Sequence, residues 1–144
     1  MLLQRLERSV IDAVIKDDPV RPHIAAEWRY STGSEVFGLW DEDFARLRAI
    51  VCVHYMDTVP ADEESMIEAS GNTVAVFYTV WSYEKGAGRE IIFSVADHIK
   101  HARPTVNRYV TLSPLTEMAE QFHLRNGAKL IARHEYCQNF EYTL

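Results

Sequence analysis

The chain has 144 residues, 47% of them hydrophobic, and its 15 Lys and Arg against 21 Asp and Glu give a formal net charge of −6. That length predicts one domain over residues 1–144 with a sizeable core and is too short for two ordinary ones; the acidic balance lacks the footprint of a phosphate-backbone binder, which argues against nucleic acid but leaves room for a small anion at a local site. Cys52 and Cys137 have no metal-like spacing and cannot staple a secreted fold, no apolar run approaches membrane-spanning length, and charges at Arg5, Glu7, Arg8 and Asp12 interrupt any signal peptide, so a cytoplasmic protein without a membrane partner is expected.

Leu2, Leu3, Leu6, Val10, Ala13 and Val14 recur at three- and four-residue steps and predict an amphipathic helix ending before Asp17. Residues 19–30, with Pro19 and Pro22, read as a loop with room for one short helix. Val36, Phe37, Leu39 and Trp40 predict a strand over 34–40, and "LRAIVCVHYM", rich in β-formers, a second over 47–56. Residues 57–72 are acidic and turn-prone. "TVAVFYTVWS", 73–82, is almost wholly apolar or aromatic and suits a central strand covered on both faces.

Ile91, Ile92, Val95 and Ile99 give the stripe of a helix from about residue 89 to near Arg103, where Pro104 stops it. "RYVTLS", 108–113, is a fourth strand. "PLTEMAEQFHLRNGA" is a further helix with Leu115, Met118, Ala119 and Phe122 on one face and Asn126-Gly127 as its stop, and "KLIARHEY" and "QNFEYT" are paired strands. A helix crossover between strands 73–82 and 108–113 requires those two to be parallel, whereas the earlier strands, joined without helices, are antiparallel. The class is therefore α+β or mixed α/β.

Between strand 73–82 and its helix lies "SYEKGAGREII", which holds two of the six glycines. Gly86 and Gly88 at a helix start leave backbone N–H groups open to an anion, and phosphate is the natural guest, with Lys85 or Arg89 adding charge. The same pair also fits a plain tight turn. No Gly-Lys-Ser/Thr follows, and the third glycine of a dinucleotide fingerprint is missing.

"YEKGAG", 83–88, resembles the pyrophosphate loop of the GNAT superfamily of acyl-CoA N-acyltransferases, Gln/Arg-x-x-Gly-x-Gly/Ala, with Tyr83 at the first position. Residues 112–128 are similar to that superfamily's strand-to-helix segment: Ala119 and Gly127 fit, and His123 falls where a tyrosine general acid often stands. The resemblance implies a GNAT-like fold, a mostly antiparallel sheet with one splayed parallel pair flanked by helices. It implies coenzyme A thioester (acetyl-CoA or another acyl-CoA) as co-substrate, without metal. The pyrophosphate would meet Tyr83, Glu84, Lys85, Gly86, Ala87, Gly88 and Arg89, and a backbone N–H near Thr79, Val80 and Trp81 would meet the thioester carbonyl. The leading function is then acyl transfer to a small amine, with His123 as acid.

Within the same fold, "TLSP" and "FHLRNGA" are similar to motifs of malonyl-CoA decarboxylase, which implies Ser113 and His123 as the catalytic pair. Read on its own, Ser113 before Pro114 has the pattern of a helix N-cap. A continuous helix from that cap would put Ser113 and His123 roughly 15 Å apart, too far for a direct bond. Decarboxylation is the alternative function, and a non-catalytic acyl-CoA sensor a third. His54 and Asp57 either line an acceptor pocket or face water; His98 and His101, three apart on a helix, lack a third ligand for a metal. Trp28, Trp40 and Trp81 are read as core or pocket walls, and the exposed final strands leave room for a homodimer.

Overall fold

The computed structural model describes residues 2–144. Eight strands form one sheet: β1 Leu3–Arg5, β2 Ser34–Trp40, β3 Leu47–Met56, β4 Val74–Ser82, β5 Arg108–Thr111, β6 Ser113–Pro114, β7 Lys129–Arg133 and β8 Cys137–Tyr142. The helices are α1 Arg8–Val14, α2 Ala26–Arg29, α3 Glu63–Glu68, α4 Ala87–Ala102 and α5 Glu117–Arg125. Strands β1 to β5 lie in chain order, β5 and β6 both pair with β8, and β7 lies along β8 as well. Every pairing is antiparallel except β4 with β5, the pair that α4 connects. No helix among the described residues is long and apolar enough to cross a membrane.

The sheet is apolar on both faces. Ile91, Ile92, Val95 and Ile99 of α4 pack on one, against Phe37, Val51, Val53 and Phe77; Ile11, Ile24 and Met66 cover the other, against Ile50, Val76 and Tyr78. That double coverage explains why β3 and β4 read as unbroken hydrophobic runs.

The N-terminal helix expected over residues 2–14 is corrected. Leu3 to Arg5 pair with Leu39 to Phe37, and the helix begins only at Arg8. Leu2 and Leu3 pack on the α4 side of the sheet, while Leu6 and Ile11 pack on the opposite side. One helix stripe cannot serve both faces, so strand pairing overrides the periodicity. Residues 57–72 also hold more order than their composition indicates: Asp62 and Ser65 form a reciprocal capping box that starts α3.

Two irregularities open the sheet at its centre. In the β3–β4 ladder Cys52 faces Thr79 and Val53 faces Phe77, so Tyr78 is an extra residue that bulges β4. On the other edge, β4–β5 pairing runs from Val74 with Arg108 to Phe77 with Thr111, and the last bond is Leu112 N–H to the Phe77 carbonyl at 3.2 Å. Beyond that point β4 continues to Ser82 while the 108–114 run follows β8. The parallel strands splay, as the family resemblance implies.

Candidate functional site

The splay opens a cavity of about 710 Å³, walled by β4 from Phe77 to Ser82, by residues 112–114, by α5 and by Pro19 and Val20. Ser113 is not the cap of α5. It lies in β6 opposite Gln138, and Thr116 caps the helix by accepting from Ala119 N–H at 3.2 Å. The expected helical separation of Ser113 from His123 therefore does not apply. Ser113 and His123 reach the same cavity from different elements.

His123 is 5% exposed, stacks on Phe140 at 5.2 Å between ring centres, and shares a 2.7 Å hydrogen bond from Nδ1 to the Tyr142 hydroxyl. Burial pushes its imidazole down to about 4 and the Tyr142 phenol up to about 12, so both are neutral near pH 7. The Ser113 hydroxyl lies 2.8 Å from that of Thr111. Since native His123 resists protonation and an unfolded histidine does not, the unfolded state binds more protons between pH 6.5 and about 4. Stability is expected to fall across that window on acidification, by on the order of 3 kcal/mol from His123. Urea unfolding of wild type and His123→Gln at about pH 7 and about pH 4.5 checks this: the variant shows the shallower loss. Burial also lowers the His54 pKa, so a slope of the same sign remains in the variant.

The glycine loop has separate local reasons for its two glycines. Gly86, the residue before α4, has φ +84°, a left-handed conformation that glycine adopts without strain. Gly88 lines the cavity, and a Cβ there would sit 3.4 Å from the Phe122 ring. The first turn of α4 aims its N–H groups out of the helix at this end. Arg48 latches the loop from β3: Nε donates to Glu84 at 2.9 Å, and Nη1 and Nη2 donate to Glu90 at 3.0 and 2.9 Å.

Thr79, Val80, Trp81 and Gly88 thus share the cavity with Ser113 and His123. Tyr83, Glu84, Lys85, Gly86, Ala87 and Arg89 do not form its walls. The Tyr83 hydroxyl donates to Asp17 at 2.7 Å and accepts from Trp81 Nε1 at 2.9 Å. Lys85 is exposed, and Arg89 is engaged by Asn126 Oδ1 at 3.1 Å and by the Phe93 ring. The "FHLRNGA" stretch accordingly braces the first turn of α4 and the end of β8: Phe122 meets Gly88, Asn126 meets Arg89, and His123 meets Tyr142.

The remaining candidates sit elsewhere. His54 is buried between the Ser34 hydroxyl at 2.8 Å and the Ala69 carbonyl at 2.6 Å, and Trp28 packs on its ring. Asp57 accepts from the N–H groups of Asn72 and Thr73. His98 packs on Phe37, and His101 bonds the Asp97 carbonyl. No group of three or more His, Cys, Asp or Glu among the described residues is arranged to hold a metal.

Sequence reasoning missed the polar cluster behind β4. Asp18 and Arg29, both fully buried at their side chains, pair at 2.8 Å. Asp18 also accepts from the N–H groups of Val20 and Arg21 and from the Thr79 hydroxyl. Burial pushes the Asp18 carboxyl up, but the N–H groups of Arg21 and Val20 and the Arg29 guanidinium outweigh it and hold it below the ordinary carboxylate value. Arg21 donates to the Tyr78 carbonyl. The two prolines in this stretch give a loop signal that conceals a buried network.

A bulged β4 splayed from a parallel neighbour, with α4 starting at the end of the gap, defines the fold as that of the GNAT acyl-CoA N-acyltransferases, which malonyl-CoA decarboxylase shares. Malonyl-CoA decarboxylase from Agrobacterium vitis superposes with a TM-score of 0.80 at 16% identity, covering 99% of this chain and 60% of that one. A spermidine N-acetyltransferase from Vibrio cholerae gives 0.65 at 11% identity over 97% of this chain and 91% of that one, and a Bacillus subtilis acetyltransferase in complex with CoA gives 0.62 at 10% over 96% and 93%. This chain thus spans three fifths of that decarboxylase's length. No protein-family model and no curated protein matches the sequence.

Proposed function

We propose that the chain binds an acyl-CoA thioester in the splay between β4 and β5 and decarboxylates a malonyl-type acyl group there. The observation that carries this reading is the charge of the cavity. Among the described residues its walls hold no Asp or Glu and one charged residue, Arg125, and His123, Ser113, Thr79 and Thr116 are neutral hydrogen-bonding groups beside apolar ones. Such a lining suits an acyl carboxylate and gives a cationic amine nothing to pair with. The open gap, apolar along β4 and ending at the first turn of α4, matches a pantetheine arm followed by a pyrophosphate.

The chemistry asked of the residues is limited. As the carbon–carboxylate bond breaks and carbon dioxide leaves, its electron pair passes to the carbon beside the thioester carbonyl. Oxyanion character then grows on the carbonyl oxygen. The backbone N–H of Val80 stabilises that oxygen. Neutral His123, with Nδ1 accepting from the Tyr142 hydroxyl, delivers its Nε2 proton to the carbon and takes one back through Tyr142 or from water, with Ser113 across the cavity. Acetyl thioester and carbon dioxide are the products. With Nδ1 held by Tyr142, Nε2 is the remaining polar atom of the His123 ring.

Acyl transfer to a small amine is the second reading, favoured by the nearly full-length overlap with the two acetyltransferases. Product analysis separates the readings. Purified protein given malonyl-CoA without amine is expected to release carbon dioxide and acetyl-CoA; acylated amine and free thiol, formed only when amine is present, would establish transfer instead. Calorimetric titration with acetyl-CoA, malonyl-CoA and CoA tests the binding step. Gly86→Asp and Gly88→Asp, which place a carboxylate at the start of α4, are expected to weaken all three by at least about tenfold. Binding without turnover in either assay would make the chain a sensor.

A further inference from the structure

Behind His123 lies a series of polar groups whose direction is fixed at its far end. Arg89, in the first turn of α4, donates from Nη1 to Asn126 Oδ1 at 3.1 Å. A guanidinium has donors and no acceptor, so the amide must turn its oxygen toward Arg89 and its NH2 group the other way. Asn126 is 7% exposed and closes α5, with its backbone N–H on the Phe122 carbonyl at 3.1 Å, which keeps the side chain inside. Its Nδ2 is buried and short of a full hydrogen bond. The group it meets is the Tyr142 phenol, whose pKa burial raises and the Asn126 amide lowers.

An amide NH2 only donates, so on that side the phenol oxygen is the acceptor and its single hydrogen goes elsewhere. Among the described residues the Tyr142 hydroxyl has one hydrogen-bond partner of ordinary length, His123 Nδ1 at 2.7 Å. Nδ1 therefore accepts, and a neutral imidazole that accepts there carries its hydrogen on Nε2. The ring stacks on Phe140, and His123 is a residue of the cavity wall. We propose that Arg89, Asn126 and Tyr142 are positioning residues, a one-way series of donors that holds His123 as its Nε2–H tautomer and so presents a donor to the cavity. Use of that hydrogen to protonate carbon rests on the decarboxylase reading; the tautomer itself does not.

The test is NMR of protein labelled with ¹⁵N in its histidines, at about pH 7, where couplings from the ring carbon protons show which nitrogen carries hydrogen. His123→Gln identifies the His123 signals by their loss. Wild type is expected to show hydrogen on Nε2 and a bare Nδ1. Asn126→Asp keeps the size and the partner of Arg89 but replaces the NH2 group with an acceptor oxygen. Tyr142 then donates to that oxygen, its own oxygen accepts from Nδ1–H, and the tautomer inverts. Turnover of malonyl-CoA is expected to fall with it by at least about tenfold, because Nε2 has lost the proton it delivers. Tyr142→Phe keeps the ring and breaks the series, so both tautomers appear; it decides the matter if the aspartate variant does not fold. Hydrogen on Nδ1 in wild type, or a folded Asn126→Asp or Tyr142→Phe protein with the wild-type tautomer alone, overturns the proposal. Inversion in Asn126→Asp with wild-type turnover supports the series and removes His123 as the proton donor. The expected tautomers in a protein that turns over no malonyl-CoA support the series and remove the decarboxylase reading.

Discussion

His123→Ala is expected to lower turnover of malonyl-CoA by ~10²–10⁴-fold while leaving the affinity for free CoA nearly unchanged. The split follows from position. His123 reaches the cavity from α5, whereas the first turn of α4, where the pyrophosphate is proposed to bind, is backbone. Removing the imidazole deletes the proposed proton donor and leaves the cradle in place. It also leaves the Tyr142 hydroxyl without its 2.7 Å partner and opens space beside Phe140, so the variant should melt earlier than wild type. Steady-state kinetics beside a CoA titration separates the two effects: a fall in kcat at constant CoA affinity assigns chemistry to His123, whereas a proportional loss of both assigns it to the architecture.

Arg29→Met should be the most destabilising single change in the 18–29 region, by ~3–5 kcal/mol. The substitution preserves much of the side-chain bulk but leaves Asp18, whose side chain is 0% exposed, as an unpaired buried carboxylate. The Ile24 and Arg21 carbonyls lose donors at the same time. Pairing it with Asp18→Leu should recover part of the loss, because two apolar groups need no mutual compensation in a dry interior. Urea unfolding of the two single variants and the double variant measures the coupling, and additive losses would show that the pair is not the unit that matters. Since Asp18 also holds Thr79, the cavity wall should loosen in each single variant.

These sites differ in how far the residues announce them. Strands β3 and β4 are legible because each is long, rich in β-formers and almost wholly buried, β2 because its apolar run is likewise buried, and helix α4 because its buried stripe keeps a helical period over four turns. The parallel relation of β4 and β5 follows from the single helical crossover between them, whereas the splay is implied only by the family resemblance. The 2–14 segment misled because its leucines satisfy a helical period while two sheet faces divide them. Ser113 misled because Ser-Pro carries a capping signal, yet Thr116 takes that role and β8 captures Ser113. The Asp18, Arg21 and Arg29 network has no local signature: charged residues near two prolines normally mark a solvated loop, and only the tertiary closure over β4 buries them. Gly86 and Gly88 stand out in the sequence, but the turn conformation at one and the Phe122 contact at the other are visible only in three dimensions.

Strand β8 places a timing constraint on the cavity. Tyr109 and Val110 of β5 face Tyr142 and Glu141, and Ser113 and Pro114 of β6 face Gln138 and Cys137, so one late strand aligns both halves of the 108–114 run. Its Asn139 bonds the Thr111 carbonyl at the break between those halves, and its Tyr142 holds His123. During synthesis, a nascent chain that has already made the glycine loop, Ser113 and His123 still lacks the strand that arranges them. Such a nascent chain would carry an unfinished cavity, its apolar walls exposed, until residues 137–142 leave the ribosome and pair, which makes this interval the stage at which chaperone capture or aggregation most directly competes with formation of the site.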